Sequence, residues 1–357
     1  MRAPRLSAFV ILAALTSGSG FIHPATAAAP AAPAAAADPV AAGSRVAMAP
    51  RKLSPEEQAD SDGLRALAKA TPMLPMERVE IKVDAPFPIA AVSAMTQDKQ
   101  GNIWIFHRPE DRNIDPVVML DAKGKYIRSF GKGLYAIPHG IRIDPEGNVW
   151  TIDAHNSTVF KFSPEGKKLV DISVGEIPDA TRPFCGATDV TFGKNGHVYV
   201  SDGYCNARFI EYDAAGKKVR QWGSAGKGDG QFNLVHDISL SADNILYVAD
   251  RESGRVQWFD LEGKYLGQKH FGGQLFSAAV APDGMVYVGT HAKGIGYETD
   301  STIFKFNPKT GQVIGKLEAF AHQMTIGADG TVLPGAVTVK IGNDPNSTSI
   351  LVFRTKK

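Results

Sequence analysis

From about residue 79 onward, short runs of β-branched and aromatic residues alternate with Gly, Asp, Asn and Pro. The runs predict strands and the interruptions predict tight turns. Self-comparison shows a repeat. SAMTQDKQGNIWIFH begins at Ser93, and its counterparts begin at His139, Thr188, His236, Phe276 and His322. Each copy reads as a strand, a turn and a second strand. Most continue into a third strand with an aromatic, as in VFKFSPEGK (159–167) and VQWFDLEGK (256–264). The period is 40 to 49 residues. Six units of three or four antiparallel strands at that period predict an all-β fold, a six-bladed β-propeller. Six unrelated hairpins would not share one internal spacing. A ring of blades protects its strand edges only by closing. ERVEIKVD (77–84) has no turn partner before it. It is expected to lie as an outer strand beside SILVFR (349–354) and so fasten the ring.

Upstream of the repeats the pattern differs. Arg2 and Arg5 precede an apolar run from Ala8 to Leu15, and small residues follow at Ala25-Thr26-Ala27. This has the form of a cleaved secretory signal, too short in its apolar part to span a bilayer. Residues 28–50 are mostly Ala and Pro and read as a linker. Ser54-Pro55-Glu56-Glu57 then has the order of an N-cap, a first-position Pro and a capping-box Glu, predicting a helix to about Ala70. The expected organisation is a signal peptide over 1–27, a linker with a short helix over 28–77, and the propeller over 78–357. The product would be secreted or periplasmic, soluble and monomeric.

Composition narrows the classes of partner. The 357 residues are 43% hydrophobic and 21% charged, with a net charge of +2. That balance suits a globular core and gives no electrostatic case for nucleic acid or an anionic membrane surface. Two cysteines, Cys185 and Cys205, in an exported chain favour a disulfide. Cys185 precedes the first strand of the third copy and Cys205 follows its second. A bridge there would hold the loop that carries Tyr204.

The copies align on a turn residue: Gly101, Gly147, Gly196, Asn244, Gly284 and Gly330. Eight positions upstream stand Ser93, His139, Thr188, His236, Phe276 and His322. Histidine occurs in copies two, four and six only. The first strand of each blade lines the central channel, so alternate blades are about 120° apart on one circle. His139, His236 and His322 would therefore converge as the ligand set of an open metal site. Zinc suits neutral imidazole best, and cobalt and iron share the preference. A single strand histidine is more often a packed channel residue; the shared register is what argues for a metal. His107, Arg108, Asp153, Asp202, Asp250, Arg251 and His291 follow the second strands at the same mouth. Arg108 and Arg251 could hold an anion, and Tyr204 could act as a base beside arginine and metal. The three aspartates read more simply as turn caps, and Arg255 as cover for a blade face.

PHGI (138–141), FCGATDV (184–190), SDGYCNAR (201–208), VHDI (235–238) and VADRESGR (248–255) resemble the peptidyl-α-hydroxyglycine α-amidating lyase family, a six-bladed propeller with NHL-type repeats. The resemblance covers roughly residues 85–330. It implies a zinc-dependent carbon–nitrogen lyase that splits a peptide ending in α-hydroxyglycine into a peptide amide and glyoxylate. By the same resemblance His139, His236 and His322 hold zinc and Tyr204 is catalytic. Arg251 and Arg108 are the active-site arginines, and Cys185 and Cys205 form the flanking disulfide. Three features depart from the family. Where it has Met-Pro-His-Asp, this chain has Phe320-Ala321-His322-Gln323; the lost aspartate is a calcium ligand, which argues against a structural calcium. A second disulfide near ADRESGR is missing. No copper-monooxygenase half accompanies the lyase-like segment, so another carbinolamide is a possible substrate. Two other readings compete: a metal-dependent lactonase or esterase on the same fold, which generally favours carboxylate and Asn ligands, and a non-catalytic propeller that binds a peptide or glycan.

Overall fold

The structure, a computed structural model, describes residues 52–356 except 180, 295, 297–298 and 337–347. The expected signal peptide and Ala/Pro segment lie outside the described residues. Six four-stranded antiparallel sheets follow one another along the chain. Their innermost strands are Val92–Gln97, Pro138–Ile143, Ala187–Phe192, Val235–Leu240, Gln274–Val280 and Gln323–Ile326. Each lies against the innermost strands of its two neighbours, and the sixth meets the first, so the blades form a closed six-bladed propeller. Each blade's first hairpin is turned by the alignment residue in the left-handed region, with φ of +84° at Gly101, +91° at Gly147 and +60° at Asn244. Glycine accepts that conformation without strain, and Asn is the usual substitute.

The ring closes as the sequence predicts. Met76–Lys82 runs antiparallel to Ser349–Thr355, with Ile81 opposite Ile350 and Val79 opposite Val352. The second strands, such as Ile103–His107 and Leu246–Asp250, are buried along their whole length. Both of their faces meet a neighbouring blade, so they read as near-continuous apolar runs rather than alternating ones. Outer strands such as Lys168–Ser173 are largely exposed.

The helix spans Pro55–Ala70 with a complete capping box between Ser54 and Glu57. It is more than the end of a linker. Leu64 is buried in one cluster with Tyr247, Phe271, Leu275 and Phe304. Asp60 pairs with His270 at 2.7 Å, and Arg65 with Asp300 at 2.7 Å. The helix therefore belongs to the propeller body, and the closing strand begins at Met76, two residues before the expected boundary of 78. The apolar contact of Leu64 outweighs the polar character of the helix as a whole. Among the described residues no helix is long and apolar enough to cross a membrane.

One irregularity recurs where the channel is lined. The innermost strands of blades one, three, four and five skip one residue in their pairing with the second strand. The skipped residues are Ser93, Thr188, His236 and Phe276. Blade two breaks register between Pro138 and Ile141, around His139. These are β-bulges at the alignment position itself. A bulge re-aims a side chain and takes its peptide out of the ladder.

Candidate metal and active site

The bulges of blades two and four turn His139 and His236 into the channel, His322 joins them from just ahead of the sixth inner strand, and the three ligand nitrogens lie within 4.8 Å of one another. The ring centroids are 4.7 to 5.1 Å apart. All three are buried. Each is oriented by the blade that follows it. His139 Nδ1–H donates to Thr188 O at 2.7 Å, His236 Nδ1–H to Phe276 O at 2.7 Å, and His322 Nδ1–H to Ser93 O at 3.0 Å. A carbonyl can only accept, so each Nδ1 carries the proton and each Nε2 keeps its lone pair. The even blades thus supply the imidazoles, and the same bulge position of the odd blades supplies the carbonyls that aim them. A carbonyl behind each ring is the usual outer support of a metal-ligating histidine.

Burial, then the His322 ring and Arg108, holds His139 well below the ordinary imidazole range. Burial, His322 and Arg251 do the same for His236. Burial and Arg108 push His322 down to about 3. All three are neutral at physiological pH, the form that binds a metal. These residues could hold one metal ion through their three Nε2 atoms.

Tyr204 caps this face. Its Oη lies 2.8 Å from His139 Nε2 and 3.2 Å from His236 Nε2. The sequence SDGYC puts it there through two restraints. The Cys185–Cys205 disulfide, 20 residues apart, closes the loop that carries it. At Gly203 a Cβ would run into the Val235 carbonyl, so only glycine lets the loop pass this close to the fourth blade. Cys205→Ser is expected to lower the unfolding free energy by about 3 kcal/mol, read by urea denaturation, and to cut turnover by loosening Tyr204. A variant with unchanged stability and unchanged turnover would show that the bridge restrains nothing at the site.

The two predicted arginines arrive on opposite flanks. Arg108 Nε donates to Pro138 O at 2.8 Å, and its guanidinium lies 5.4 Å from the Phe184 ring centroid. Arg251 lies over the Tyr204 and Phe276 rings at 5.7 and 5.2 Å. Its Nε donates to Glu252 at 2.8 Å, and Glu252 also accepts from Gln274 at 2.7 Å. The aromatic walls are Phe184, tilted against Tyr204 with ring centroids 5.0 Å apart, and Phe276 against Phe320 at 5.1 Å. The sequence reading passed over Glu252 and these phenylalanines. Phe276 alone carried a signal, since it stands at the histidine register.

The remaining mouth residues have structural partners. Asp153 accepts from the amides of Ala136, Ile137 and His155. Asp202 accepts from Arg208 and Asn206, and Asp250 from Arg255 and Asn233. Arg255 is therefore buried and paired, where the sequence suggested surface cover. His107 accepts from the Ala90 amide at Nδ1 and donates from Nε2 to Asp115 O; burial pushes it down to about 4. His291 approaches Ser301 Oγ at 3.0 Å and stands away from the three-histidine cluster.

Fold and site together define a six-bladed propeller with a buried three-histidine centre ready for a metal. The NHL repeat family matches residues 135–162 and 232–259. The probable peptidyl-alpha-hydroxyglycine alpha-amidating lyase pgal-1 of Caenorhabditis elegans is 31% identical over 282 residues, covering 68% of this chain and 79% of that protein. The chain belongs to the peptidyl-α-hydroxyglycine α-amidating lyase family. Peptidyl-glycine alpha-amidating monooxygenase A of Xenopus laevis is 32% identical over 302 residues, 72% of this chain and 32% of that protein. The chain thus spans about a third of the length of that longer relative. Among solved structures, a streptogramin B lyase shares the fold, with a TM-score of 0.54 at 14% identity over 78% of this chain and 98% of the other.

Proposed function

We propose that this protein is an exported, zinc-dependent lyase that cleaves the carbon–nitrogen bond of an α-hydroxyglycine-type carbinolamide, releasing an amide and glyoxylate. One observation supports this above the others: Tyr204 Oη stands 2.8 and 3.2 Å from two of the three converging Nε2 atoms, with Arg251 over its own ring and Arg108 over the neighbouring Phe184 ring. The relatives named as amidating lyases supply the substrate class. His139, His236 and His322 would hold the ion. Zinc, when bound, supplies Lewis acidity that makes the substrate hydroxyl easier to deprotonate.

The chain's own residues do the rest. Arg251 and Arg108 hold the terminal carboxylate and fix the carbinol carbon beneath Tyr204. Tyr204, in its deprotonated form, takes the hydroxyl proton on Oη. The O–H electron pair becomes the aldehyde C=O, the carbon–nitrogen bond breaks, and Tyr204 passes the proton it took to the leaving nitrogen, which restores the base. No electron is gained or lost overall, so no redox partner is needed. Phe184, Phe276 and Phe320 keep the pocket apolar, which strengthens each charge interaction. The metal-ready cluster contains histidines and no carboxylate, which weighs against a calcium-centred hydrolase.

The test is glyoxylate release from a short peptide ending in α-hydroxyglycine, with the zinc-loaded protein. Saturable release with a matching yield of peptide amide is expected. Absence of release from protein that retains its zinc would overturn the reading.

A further inference from the structure

A second polar layer lies directly beneath the histidines, and its centre is Arg142. Asp189, Asp237 and Gln323 each follow a channel residue by one position: Thr188, His236 and His322. Blade two has Gly140 at that place, with no side chain. Arg142, the next residue on the same face, fills the space instead. Its Nη2 donates to Asp189 at 2.6 Å, to Gln323 Oε1 at 3.1 Å, and to both oxygens of Asp237 at 3.3 Å. Nη1 donates to Ile141 O at 3.1 Å. Gln323 Nε2 donates in turn to His236 O at 3.0 Å and reaches Thr188 O at 3.5 Å. Thr188 O is the carbonyl that orients His139. One guanidinium thus joins blades two, three, four and six, immediately under the metal-ready cluster. All four side chains are buried.

The family resemblance implies a structural calcium whose aspartate ligand would stand at position 323. The residues present do not fit it. Calcium takes six to eight oxygens at about 2.3–2.6 Å. Here the oxygens of Asp189, Asp237 and Gln323 already face a guanidinium, and position 323 offers an amide. We propose that Arg142 is a covalently attached replacement for a structural divalent cation, tying four blades together beneath the histidines and making the fold independent of calcium. An arginine is permanently charged and presents five donors in a fixed fork, so it can satisfy several acceptors at once. Being part of the chain, it cannot be lost by dilution or chelation. Arg142 and Gln323 are positioning residues for the site, acting through the backbone of Thr188 and His236. The inference holds whatever the substrate.

The test compares thermal melts of the metal-loaded protein with and without millimolar calcium, together with elemental analysis after equilibration in calcium and desalting. Unaltered protein is expected to keep the same Tm and to retain no calcium. Arg142→Gln leaves the carboxylates without their counter-cation. Its Tm is expected to fall, and to rise again by roughly 5–10 °C when calcium stands about a hundredfold above its dissociation constant. A simple packing role for Arg142 would show the fall without the calcium-dependent recovery. Should Arg142→Gln yield no folded protein, Arg142→Lys, which keeps a charge in place, is expected to fold and to ignore calcium. Stoichiometric calcium on the unaltered protein, a calcium-dependent rise in its Tm, a folded Arg142→Gln that calcium does not stabilise, or a calcium-responsive Arg142→Lys would each overturn the proposal.

Discussion

Replacing His236 with alanine is expected to empty the metal site and to lower turnover by at least ~10³-fold. The three imidazoles are the whole donor set of the cluster among the described residues, and their nitrogens lie within 4.8 Å of one another. Loss of an outer-shell partner alone costs ~10–100-fold in metal affinity; loss of a ligand exceeds that. The remaining pair, His139 and His322, cannot fill a tetrahedral set with one open place. The substitution also leaves Phe276 O without its Nδ1–H donor, a buried acceptor whose loss costs about 1–3 kcal/mol. Metal content, turnover and melting temperature should therefore be measured together. A folded variant with background metal and background turnover is the expected result. A variant that keeps either would remove His236 from the centre and, with it, the zinc-lyase reading.

Tyr204→Phe should separate chemistry from architecture. It deletes a single oxygen, the one that stands 2.8 and 3.2 Å from His139 and His236 Nε2. The ring keeps its contacts with Phe184 and Arg251, and the neighbouring disulfide is untouched. Stability, metal content and KM are therefore expected to change little, because on the proposed reading Arg108 and Arg251 would still hold the substrate. The expected loss is in kcat, by ~10²–10⁴-fold, the usual worth of a positioned acid–base group. Full activity in Tyr204→Phe would assign the proton to another group. Loss of metal in this variant would instead make Tyr204 part of the coordination sphere. The two substitutions together distinguish a reaction run by the centre from a propeller that merely carries one.

Much of this site could be read from the chain because a repeat converts register into geometry. Aligning six turn residues was enough to place His139, His236 and His322 on one circle, and to bring Arg108, Arg251 and Tyr204 to the same mouth. Ring closure was legible for a similar reason: ERVEIKVD had an apolar face and no partner in its own stretch. What the alignment missed follows from interactions that carry no residue type. The carbonyls of Ser93, Thr188 and Phe276 aim the histidines, but any residue has a carbonyl. Their availability depends on a bulge in each inner strand. Glu252 was missed because a carboxylate beside an arginine in a loop resembles any surface pair.

Arg142 marks the boundary most clearly. Counting by twos from His139 in a regular strand puts Arg142 on the opposite face, where a charged residue reads as solvated. The break in register between Pro138 and Ile141 reverses that parity and sends the guanidinium into the channel, against Asp189, Asp237 and Gln323. The sequence by itself determined the number of blades, their order, the closing strand and the alternate placement of three histidines, because apolar period and repeat length are local properties of the chain. Only the tertiary structure decided which carbonyls orient the rings, how the helix joins the body and what cation stands beneath the site. Those depend on bulges and on contacts such as Arg142 with Gln323, 181 residues apart, which no local pattern encodes.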